Sequence, residues 1–266
     1  MTAEEKLKKL KQLLKEMESL VLAYSGGVDS TFLLKVAADT LKDRVLAVTA
    51  KSPTYPGQEY INAMKIAQGF EVKFLSIFTD EFLQLEFVRN SPDRCYYCKQ
   101  ELFTRLKEIA RRENLKWVAD GSNFDDRTDF RPGRKAAAEL GVRSPLDEVK
   151  LAKEEIRILS RELGLPTWDK PSLACLASRV PYGISLTQEI LERINQAEEF
   201  MRSMGLGQVR VRHHEEIARI EVQPADMEKV IYHREKIGAK LKALGYTYIV
   251  LDLEGYRPGS LNLVLN

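Results

Sequence analysis

The chain has 266 residues, which is enough for one large domain or two modest ones. Hydrophobic residues make up 44% and charged residues 30% of it, and no apolar run approaches the ~18–20 residues that span a bilayer. The formal net charge of +2 argues against a nucleic-acid partner, because proteins that bind phosphate backbones usually carry a clear basic surplus. Residues 1–19 form a charged amphipathic segment without the features of a secretory signal, so we expect a cytoplasmic location.

Short apolar runs alternate with helical patterns through the first two thirds of the chain. We predict strands at Leu20–Tyr24, Arg44–Thr49, Val72–Phe78, Lys116–Asp120 and near Val142. We predict helices between them at Ser30–Leu41, Gln58–Gln68, Tyr97–Glu113, Arg134–Leu140 and Lys153–Leu163. Because the strands are uniformly apolar, both of their faces should be covered, and the fold class is α/β with a doubly wound parallel sheet.

The segment from Pro166 to Gly183 contains three prolines and no clear periodicity, so we predict a long functional loop. The remaining residues indicate a smaller α+β domain. Its predicted elements are, in order, a helix, two strands, a helix and a strand, at Thr187–Met204, Gln208–Arg212, Ile217–Val222, Ala225–Ala243 and Thr247–Leu253. We therefore predict two domains, residues 1–183 and 184–266.

The string Ser25-Gly26-Gly27-Val28-Asp29-Ser30 lies between the first strand and the first long helix of the sheet. Two glycines allow a tight turn that presents backbone N–H groups, and the helix N-terminus favours a bound oxyanion. Asp29 could hold a magnesium ion on the phosphates. The alternative is a strand-to-helix turn in which glycine serves geometry and serine serves capping. No Gly-Lys-Ser/Thr and no Gly-x-Gly-x-x-Gly pattern is present, so neither a Walker loop nor a dinucleotide turn is indicated.

This string resembles the motif of the PP-loop, or N-type ATP pyrophosphatase, superfamily, whose fold is adenine nucleotide α-hydrolase-like. Members cleave ATP between the α and β phosphates and leave AMP on a substrate oxygen. The resemblance implies that Asp29 acts in catalysis with Mg²⁺ and that adenine lies near the end of the second strand. The implied nucleotide-binding residues are Ser25, Gly26, Gly27, Val28, Asp29, Ser30, Val48, Thr49, Gly121 and Ser122.

Cys95 and Cys98 lie close together at a predicted loop-to-helix boundary, and Cys175 lies in the long loop. They could be three unrelated buried cysteines. Cys95 and Cys98 could form a thioredoxin-like redox pair, which leaves Cys175 idle. A structural zinc site would need a fourth ligand, such as His213 or His214. A 4Fe-4S cluster with three cysteine ligands and one open iron would give all three cysteines one role beside an ATP site.

The whole set of motifs resembles a narrower family, the LarE family of ATP-dependent sulfur transferases. The match adds Arg94-Cys95-Tyr96-Tyr97-Cys98-Lys99, Cys175-Leu176-Ala177-Ser178-Arg179-Val180-Pro181-Tyr182-Gly183 and Tyr256-Arg257-Pro258-Gly259 to the first string. The resemblance implies adenylation of a carboxylate of pyridinium-3,5-biscarboxylic acid mononucleotide, then displacement of AMP by sulfur to give a thiocarboxylate. The product leads to the nickel-pincer nucleotide cofactor of lactate racemase.

Two sulfur sources occur in this family. In one, the cysteine matching Cys175 gives up its own sulfur; in the other, three cysteines hold a 4Fe-4S cluster that carries an extra sulfide. The presence of Cys95 and Cys98 favours the cluster type, with Cys95, Cys98 and Cys175 as both catalytic residues and cluster ligands. The resemblance also implies a homo-oligomer that uses sulfide or another sulfur donor.

A mononucleotide substrate needs a site for its phosphate, and arginine side chains suit that purpose. Arg210 and Arg212 share one face of a predicted strand, and Ser178 and Arg179 follow shortly after Cys175. The family resemblance favours Ser178, Arg212 and Arg257 as phosphate contacts. The predicted substrate-binding residues are Ser178, Arg179, Arg210, Arg212 and Arg257. Surface salt bridges are the alternative for each arginine. Glu199 and Glu221 could bind a divalent metal, or could lie on solvated faces.

Three other functions remain as alternatives. A tRNA thiolase of the same superfamily predicts a larger basic surface and usually added zinc-binding cysteine pairs, neither of which is present. An amidotransferase-type synthetase, such as those for NAD or GMP, uses ammonia and has no need of the three cysteines. A non-enzymatic nucleotide-binding module leaves the long loop and the C-terminal domain unexplained.

Overall fold

The computed structural model describes residues 1–127, 132–171, 174–257 and 259–265. The chain divides into two compact units, residues 1–87 with 92–173 and residues 88–91 with 174–266. The domain boundary predicted between residues 183 and 184 stays a prediction. Residues 172–173 of the predicted loop, and Pro258 of the C-terminal motif, lie outside the described residues. Within the described ranges, no helix combines the length and apolar character that crossing a bilayer requires.

A parallel sheet of four strands forms the centre of the first unit. Its strands are β1 (Leu20–Ala23), β2 (Val45–Lys51), β3 (Lys73–Phe78) and β4 (Trp117–Ala119), in the order β3-β2-β1-β4. The predicted α/β class with a parallel sheet is confirmed. The strand predicted near Val142 is replaced by a single bridge between Ala119 and Arg143. Pro145 lies two residues after Arg143, has no N–H to continue a ladder and begins a helix, so the pairing does not extend into a strand.

The helices of the first unit follow the predicted pattern to within a few residues. They are α1 (Ala3–Met17), α2 (Val28–Leu41), α3 (Gly57–Gly69), α4 (Leu85–Val88), α5 (Arg94–Arg112), α6 (Gly133–Glu139), α7 (Pro145–Glu148) and α8 (Lys153–Glu162). The four-residue helices α4 and α7 are too short to show a helical period, and the sequence did not predict them. Thr2 and Glu5 form a reciprocal capping box at the start of α1.

Successive strand residues point to opposite sides of the sheet, and the central strands β1 and β2 are buried on both, whereas the edge strand β3 has no buried residue. Leu20 and Leu22 pack into one apolar cluster with residues of α1, α2 and α8. Val21, Leu46 and Val48 pack into a second cluster with residues of α5 and α6. Burial on both faces explains why the sequences of these strands do not alternate between apolar and polar residues. Because all four strands are parallel, their carboxyl ends lie at one edge of the sheet.

The second unit contains a three-stranded sheet of β5 (Val209–His214), β6 (Ile217–Val222) and β7 (Tyr248–Leu251). Strands β5 and β6 are antiparallel, and β6 and β7 are parallel. Helix α9 (Gln188–Ser203) packs on β5.

The prediction of one helix over Ala225–Ala243 is wrong in one respect, because the structure has two helices there, α10 (Met227–Tyr232) and α11 (Arg234–Ala243). His233, at φ −95° and ψ 14°, interrupts it. It ends the run Val230-Ile231-Tyr232-His233, whose residues are weak helix formers.

Candidate functional site: a phosphate loop and a cysteine-bearing turn

The loop between β1 and α2 is built on two glycines. Gly26 has φ of +63°, in the left-handed region, and Gly27 is the N-cap residue of α2. Ser25 Oγ lies 3.1 Å from Ser30 Oγ, which lies 3.3 Å from the Gly27 carbonyl oxygen and can donate to it. Helix α2 therefore starts inside the motif, and its first N–H groups lack helical partners and face the same side as the loop.

Close backbone packing holds this loop in place. A Cβ atom on Gly26 would lie 2.7 Å from the Cβ of Ala63 in α3. A Cβ atom on Gly121, in the loop after β4, would lie 3.0 Å from both Cα and N of Ser30. Only glycine permits either approach, so the positions of Gly26 and Gly121 follow from sterics as well as from any ligand.

A cavity of about 510 Å³ opens above the loop. Three lysines, Lys99, Lys153 and Lys170, line it together with the predicted residues Ser25, Gly27, Val28, Asp29, Ser30, Gly121 and Ser122. Lys153 Nζ lies 2.5 Å from Asp29 Oδ2. Lys170 Nζ donates to the Gly26 carbonyl oxygen at 3.0 Å and pairs with Glu59 at 2.5 Å. The cavity thus combines a helix N-terminus and three lysines with five carboxylates, those of Asp29, Glu59, Asp120, Asp125 and Asp126, a lining that suits a polyphosphate bound together with a metal cation.

Asp29 is suited to a magnesium ion. Its Oδ2 atom pairs with Lys153, whereas its Oδ1 atom is buried and has no hydrogen-bond partner among the described residues. A buried carboxylate oxygen without a donor costs free energy, and a cation bound with the phosphates would recover it. Carboxylate and phosphate oxygens are the ligands that Mg²⁺ uses at such sites. The residues present therefore fit the metal that the sequence predicted.

A smaller cavity of about 180 Å³ adjoins the first at the end of β2. The predicted adenine neighbours Val48 and Thr49 line it, and Ser25 and Tyr55 line both cavities. Burial, reinforced by Glu59, raises the pKa of the Tyr55 phenol, which stays protonated and donates to the Ser25 carbonyl oxygen. The structure thus brings nine of the ten predicted nucleotide-binding residues to these two cavities, with Gly26 beneath them. Their contacts with ATP stay predictions.

Two of the cysteines begin α5, and the third begins a short 3₁₀ turn. Cys95 and Cys98 are three residues apart on the helix, so both leave the same face. Cys98 also lines the smaller cavity. Cys175 is exposed and precedes the turn Leu176–Arg179. None of the three, all of which the structure describes, is in a disulfide.

The donor chemistry of the cysteines fits a thiolate-bound cluster only in part. Cys95 and Cys98 have a spacing that lets two thiolates reach one centre. Among the residues that the structure describes, however, no three side chains of His, Cys, Asp or Glu are grouped as a metal site requires. The cluster with Cys175 as third ligand therefore stays a prediction.

A buried ion pair holds the turn after Cys175. The Arg179 guanidinium binds Glu198 of α9 through two hydrogen bonds of 2.8 and 2.9 Å, and both side chains are almost wholly buried. Its third nitrogen donates to the carbonyl oxygens of Ala174 and Cys175 at 2.6 and 3.1 Å. Burial opposes the charge of Glu198, yet Arg179 holds the pKa of this carboxyl below its usual value. Arg179 is thus directed to the backbone that carries Cys175.

Arg212 forms a second buried pair with Glu221 across β5 and β6, at 2.9 and 2.7 Å. It also donates to the Ser178 carbonyl oxygen at 2.7 Å and to Ser260 Oγ at 2.8 Å. Ser178 Oγ in turn accepts from Arg179 at 3.1 Å. Three of the predicted substrate-binding residues, Ser178, Arg179 and Arg212, therefore belong to one hydrogen-bonded network.

The two remaining predicted arginines differ in burial, because Arg210 is buried and Arg257 is not. Arg210 stacks over the Tyr256 ring at 5.3 Å, and burial next to Arg179 lowers its pKa to about 10, so it remains charged at neutral pH. Arg257 pairs with Glu254 at 2.6 Å and is more than one third exposed.

Several residues of these sites carry no motif. Lys153, Lys170 and Tyr55 look like ordinary surface residues in the sequence. Glu198 had a signal, because it is seven residues after Leu191 and four after Ile194 on the buried stripe of α9. Glu199, the neighbouring residue for which the sequence suggested a metal-binding role, is instead exposed and accepts a hydrogen bond from Asn195.

The loop, the sheet order and the adjoining cavities define the first unit as a PP-loop nucleotide-binding domain of the ATP pyrophosphatase type. The NAD synthase family profile matches residues 3–110. An uncharacterized protein of Synechocystis is 42% identical over 264 residues, covering 98% of both chains. The pyridinium-3,5-bisthiocarboxylic acid mononucleotide synthase of Lactiplantibacillus plantarum is 38% identical over 250 residues, covering 94% of this chain and 91% of that one. A glutamine-hydrolyzing GMP synthase of Aliivibrio salmonicida is 25% identical over 169 residues, 56% of this chain and 32% of that one.

Identity at this level over almost the whole length shows that the chain belongs to the LarE family, the family of the L. plantarum synthase. As a member of this family, it is an ATP-dependent enzyme that adenylates its substrate and transfers sulfur.

The close packing at Gly26 predicts that an alanine at this position impairs ATP binding, whereas an alanine at a glycine with open space around it does not. Gly26→Ala combines a left-handed backbone with a clash against Ala63, so the loop must move. We expect ATP affinity, measured by calorimetry, to fall at least tenfold, on the order of the cost of one misplaced binding loop. Gly141→Ala is the control, since Gly141 has φ of +66° and open space around it. It should lose about 1 kcal/mol of stability and bind ATP normally. Equal ATP binding by both variants would contradict this account of the loop.

The Arg179–Glu198 pair predicts that replacing Glu198 destabilises the protein strongly, whereas replacing the adjacent Glu199 does not. Glu198→Ala leaves Arg179 buried and unpaired, and the free energy of unfolding should fall by about 3–5 kcal/mol in urea denaturation. Glu199→Ala, on the exposed side of the same helix, should change it by about 0.5 kcal/mol or less. Similar losses for the two variants would show that the pair does not hold the turn.

Proposed function

We propose that this enzyme adenylates a carboxylate of pyridinium-3,5-biscarboxylic acid mononucleotide and replaces AMP by sulfur, in biosynthesis of a nickel-pincer nucleotide cofactor such as that of lactate racemase. The observation that carries the proposal is the Ser25–Ser30 loop, with the unpartnered Asp29 Oδ1 atom in a lysine-lined cavity. The named activity of the L. plantarum relative supports the substrate.

The first step makes a poor electrophile reactive. A substrate carboxylate oxygen attacks the α-phosphorus of ATP, the bond to the bridging α–β oxygen breaks, and pyrophosphate leaves. The loop N–H groups, Lys153 and Lys170 would hold the leaving pyrophosphate, whose charge grows as the bond breaks. Mg²⁺, when bound at Asp29, would supply further charge neutralisation at the phosphates.

The second step uses AMP as a leaving group. A sulfur nucleophile attacks the acyl carbon, the carbon–oxygen bond to AMP breaks, and a thiocarboxylate remains. The adenine and ribose stay in the nucleotide site during this exchange, so Val48 and Thr49 would help to keep the acyl carbon in position.

Two sources of sulfur fit the chain. Cys95, Cys98 and Cys175 would hold a 4Fe-4S cluster, which supplies a transferable sulfide when it is bound. We favour this source because Cys95 and Cys98 have no task in the alternative. In that alternative, the Cys175 thiolate forms a thioester, its Cα proton is removed, and the Cβ–S bond breaks to leave dehydroalanine and the thiocarboxylate.

The second unit would bind the phosphate of the mononucleotide. Arg257 is partly exposed, Ser178 belongs to the turn after Cys175, Arg212 donates to the Ser178 carbonyl oxygen, and Arg210 lies next to Arg179. We assign Arg179 to holding that turn, because its guanidinium is directed to Glu198 and to backbone oxygens. We further propose a cytoplasmic homo-oligomer that accepts sulfide or another sulfur donor and does not bind nucleic acid.

Removal of the Asp29 carboxylate should stop adenylation. Asp29→Asn keeps the size of the side chain but weakens metal binding, and Ser30→Ala removes the hydroxyl that meets Ser25. We expect each variant to lower ATP–pyrophosphate exchange by about 100-fold or more, the range for loss of one charge-stabilising group.

The matched control for this experiment is Asp39→Asn, which changes the same charge on the exposed face of the same helix. It should exchange pyrophosphate like the unaltered enzyme. Normal exchange by Asp29→Asn and by Ser30→Ala would rule out the proposed ATP site.

The source of sulfur is decided by intact mass and iron content. For the cluster, each of Cys95→Ser, Cys98→Ser and Cys175→Ser should lower bound iron in anaerobically purified protein and stop multiple turnover. For the sacrificial route, only Cys175→Ser abolishes activity, and the protein loses roughly 34 Da, one hydrogen sulfide, in a single turnover. Dehydroalanine at Cys175 in metal-free protein would exclude the cluster but keep the adenylation chemistry.

A further inference from the structure

The small cavity at the end of β2 contains one carboxylate that the mechanism above does not use. Its walls are mainly apolar, from Val48, Ala50 and Leu102, and it shares Ser25 and Tyr55 with the phosphate cavity. Glu81, at the start of a short 3₁₀ turn after β3, also lines it and is only 1% exposed. A fully buried acidic side chain in an apolar cavity requires a physical reason.

One oxygen of the Glu81 carboxylate accepts a hydrogen bond from the described residues, and the other does not. The Thr54 N–H donates to Ser52 Oγ at 3.0 Å, and the Ser52 hydroxyl donates to Glu81 Oε1. Glu81 Oε2 is buried and has no hydrogen-bond partner among the described residues. Leaving such an oxygen unsatisfied is costly, whereas a donor on a bound molecule would remove the cost.

The position of the cavity indicates which donor that is. It adjoins the cavity of the phosphate loop, and its mainly apolar walls suit a purine ring. We propose that Glu81 accepts a hydrogen bond from the 6-amino group of adenine and thereby selects ATP over 6-oxopurine nucleotides. This inference rests on the proposed use of ATP at the loop.

The selectivity follows from donor and acceptor chemistry. Adenine presents an amino group at position 6, which a carboxylate oxygen can accept from. Inosine and guanosine present a carbonyl oxygen there, so two acceptors would face each other in the position that adenine occupies, and the N1–H of a 6-oxopurine could reach Oε2 only if the base shifted within the cavity. Sites that bind a specific donor reject analogues without it more strongly than apolar pockets reject a change of size.

Nucleotide titration tests this role without sulfur transfer. Calorimetry with Mg²⁺ and either ATP or ITP gives both dissociation constants for the unaltered protein, where we expect about a 100-fold preference for ATP. Glu81→Gln should reduce the preference to below about tenfold, because its amide can donate to the 6-oxo group of ITP. Glu86→Gln is the matched control, an exposed glutamate on the same segment, and should keep the preference.

Thermal unfolding without nucleotide provides a second measurement. If Oε2 has no protein donor, Glu81→Gln should unfold at the same temperature as the unaltered protein, or higher, because it removes a buried charge. A clearly lower unfolding temperature would show that a protein donor satisfies Oε2, and would overturn the proposal.

The outcomes separate this proposal from the proposed function. An unchanged ATP preference in Glu81→Gln, or equal binding of ATP and ITP by the unaltered protein, would overturn the role of Glu81 while leaving ATP use intact. Failure of the unaltered protein to bind either nucleotide would overturn the proposed function itself.

Discussion

The nucleotide end of the first unit depends on the close approach of backbones that only glycine allows. Gly26 lies against Ala63 of α3, and Gly121 lies against the first turn of α2 at Ser30. These two contacts fix the phosphate loop relative to the sheet before any ligand binds. The lysines and carboxylates around the cavity can then hold their positions with few direct bonds to the loop, because the backbone supplies the geometry.

In the second unit, buried ion pairs hold the turn after Cys175 in place. Arg179 with Glu198, and Arg212 with Glu221, are two bidentate pairs in a small domain, and both reach the backbone of the Cys175–Ser178 segment. Apolar packing of similar volume would often be as stable. A guanidinium, however, can hold a carboxylate and a carbonyl at once, which apolar residues cannot, and this suits a turn that must present an exposed cysteine.

The fold could be predicted from the sequence wherever the signal is local. Apolar strands, amphipathic helices and the Ser25–Ser30 string gave the sheet and its loop to within a few residues. The break at His233 was missed because helix propensity over Val230–Tyr232 is weak without any glycine or proline to mark it. Lys153, Lys170 and Glu81 were missed for a different reason. Their role depends on contacts with segments distant along the chain, and nothing near them in the sequence distinguishes them from solvated residues.

The distribution of charged residues in this chain is more informative than its net charge. The net charge of +2 does not show that one cavity holds three lysines and five carboxylates, those of Asp29, Glu59 and the three aspartates of the loop after β4. Such pairing weakens the field of the lysines at long range. When a nucleotide binds together with Mg²⁺, the Lys153–Asp29 contact can be replaced by two others. Lys153 can then bind a phosphate, and Asp29 can bind the metal ion. A compact cavity in which carboxylates outnumber lysines therefore favours a nucleotide that brings a metal cation over a bare polyanion.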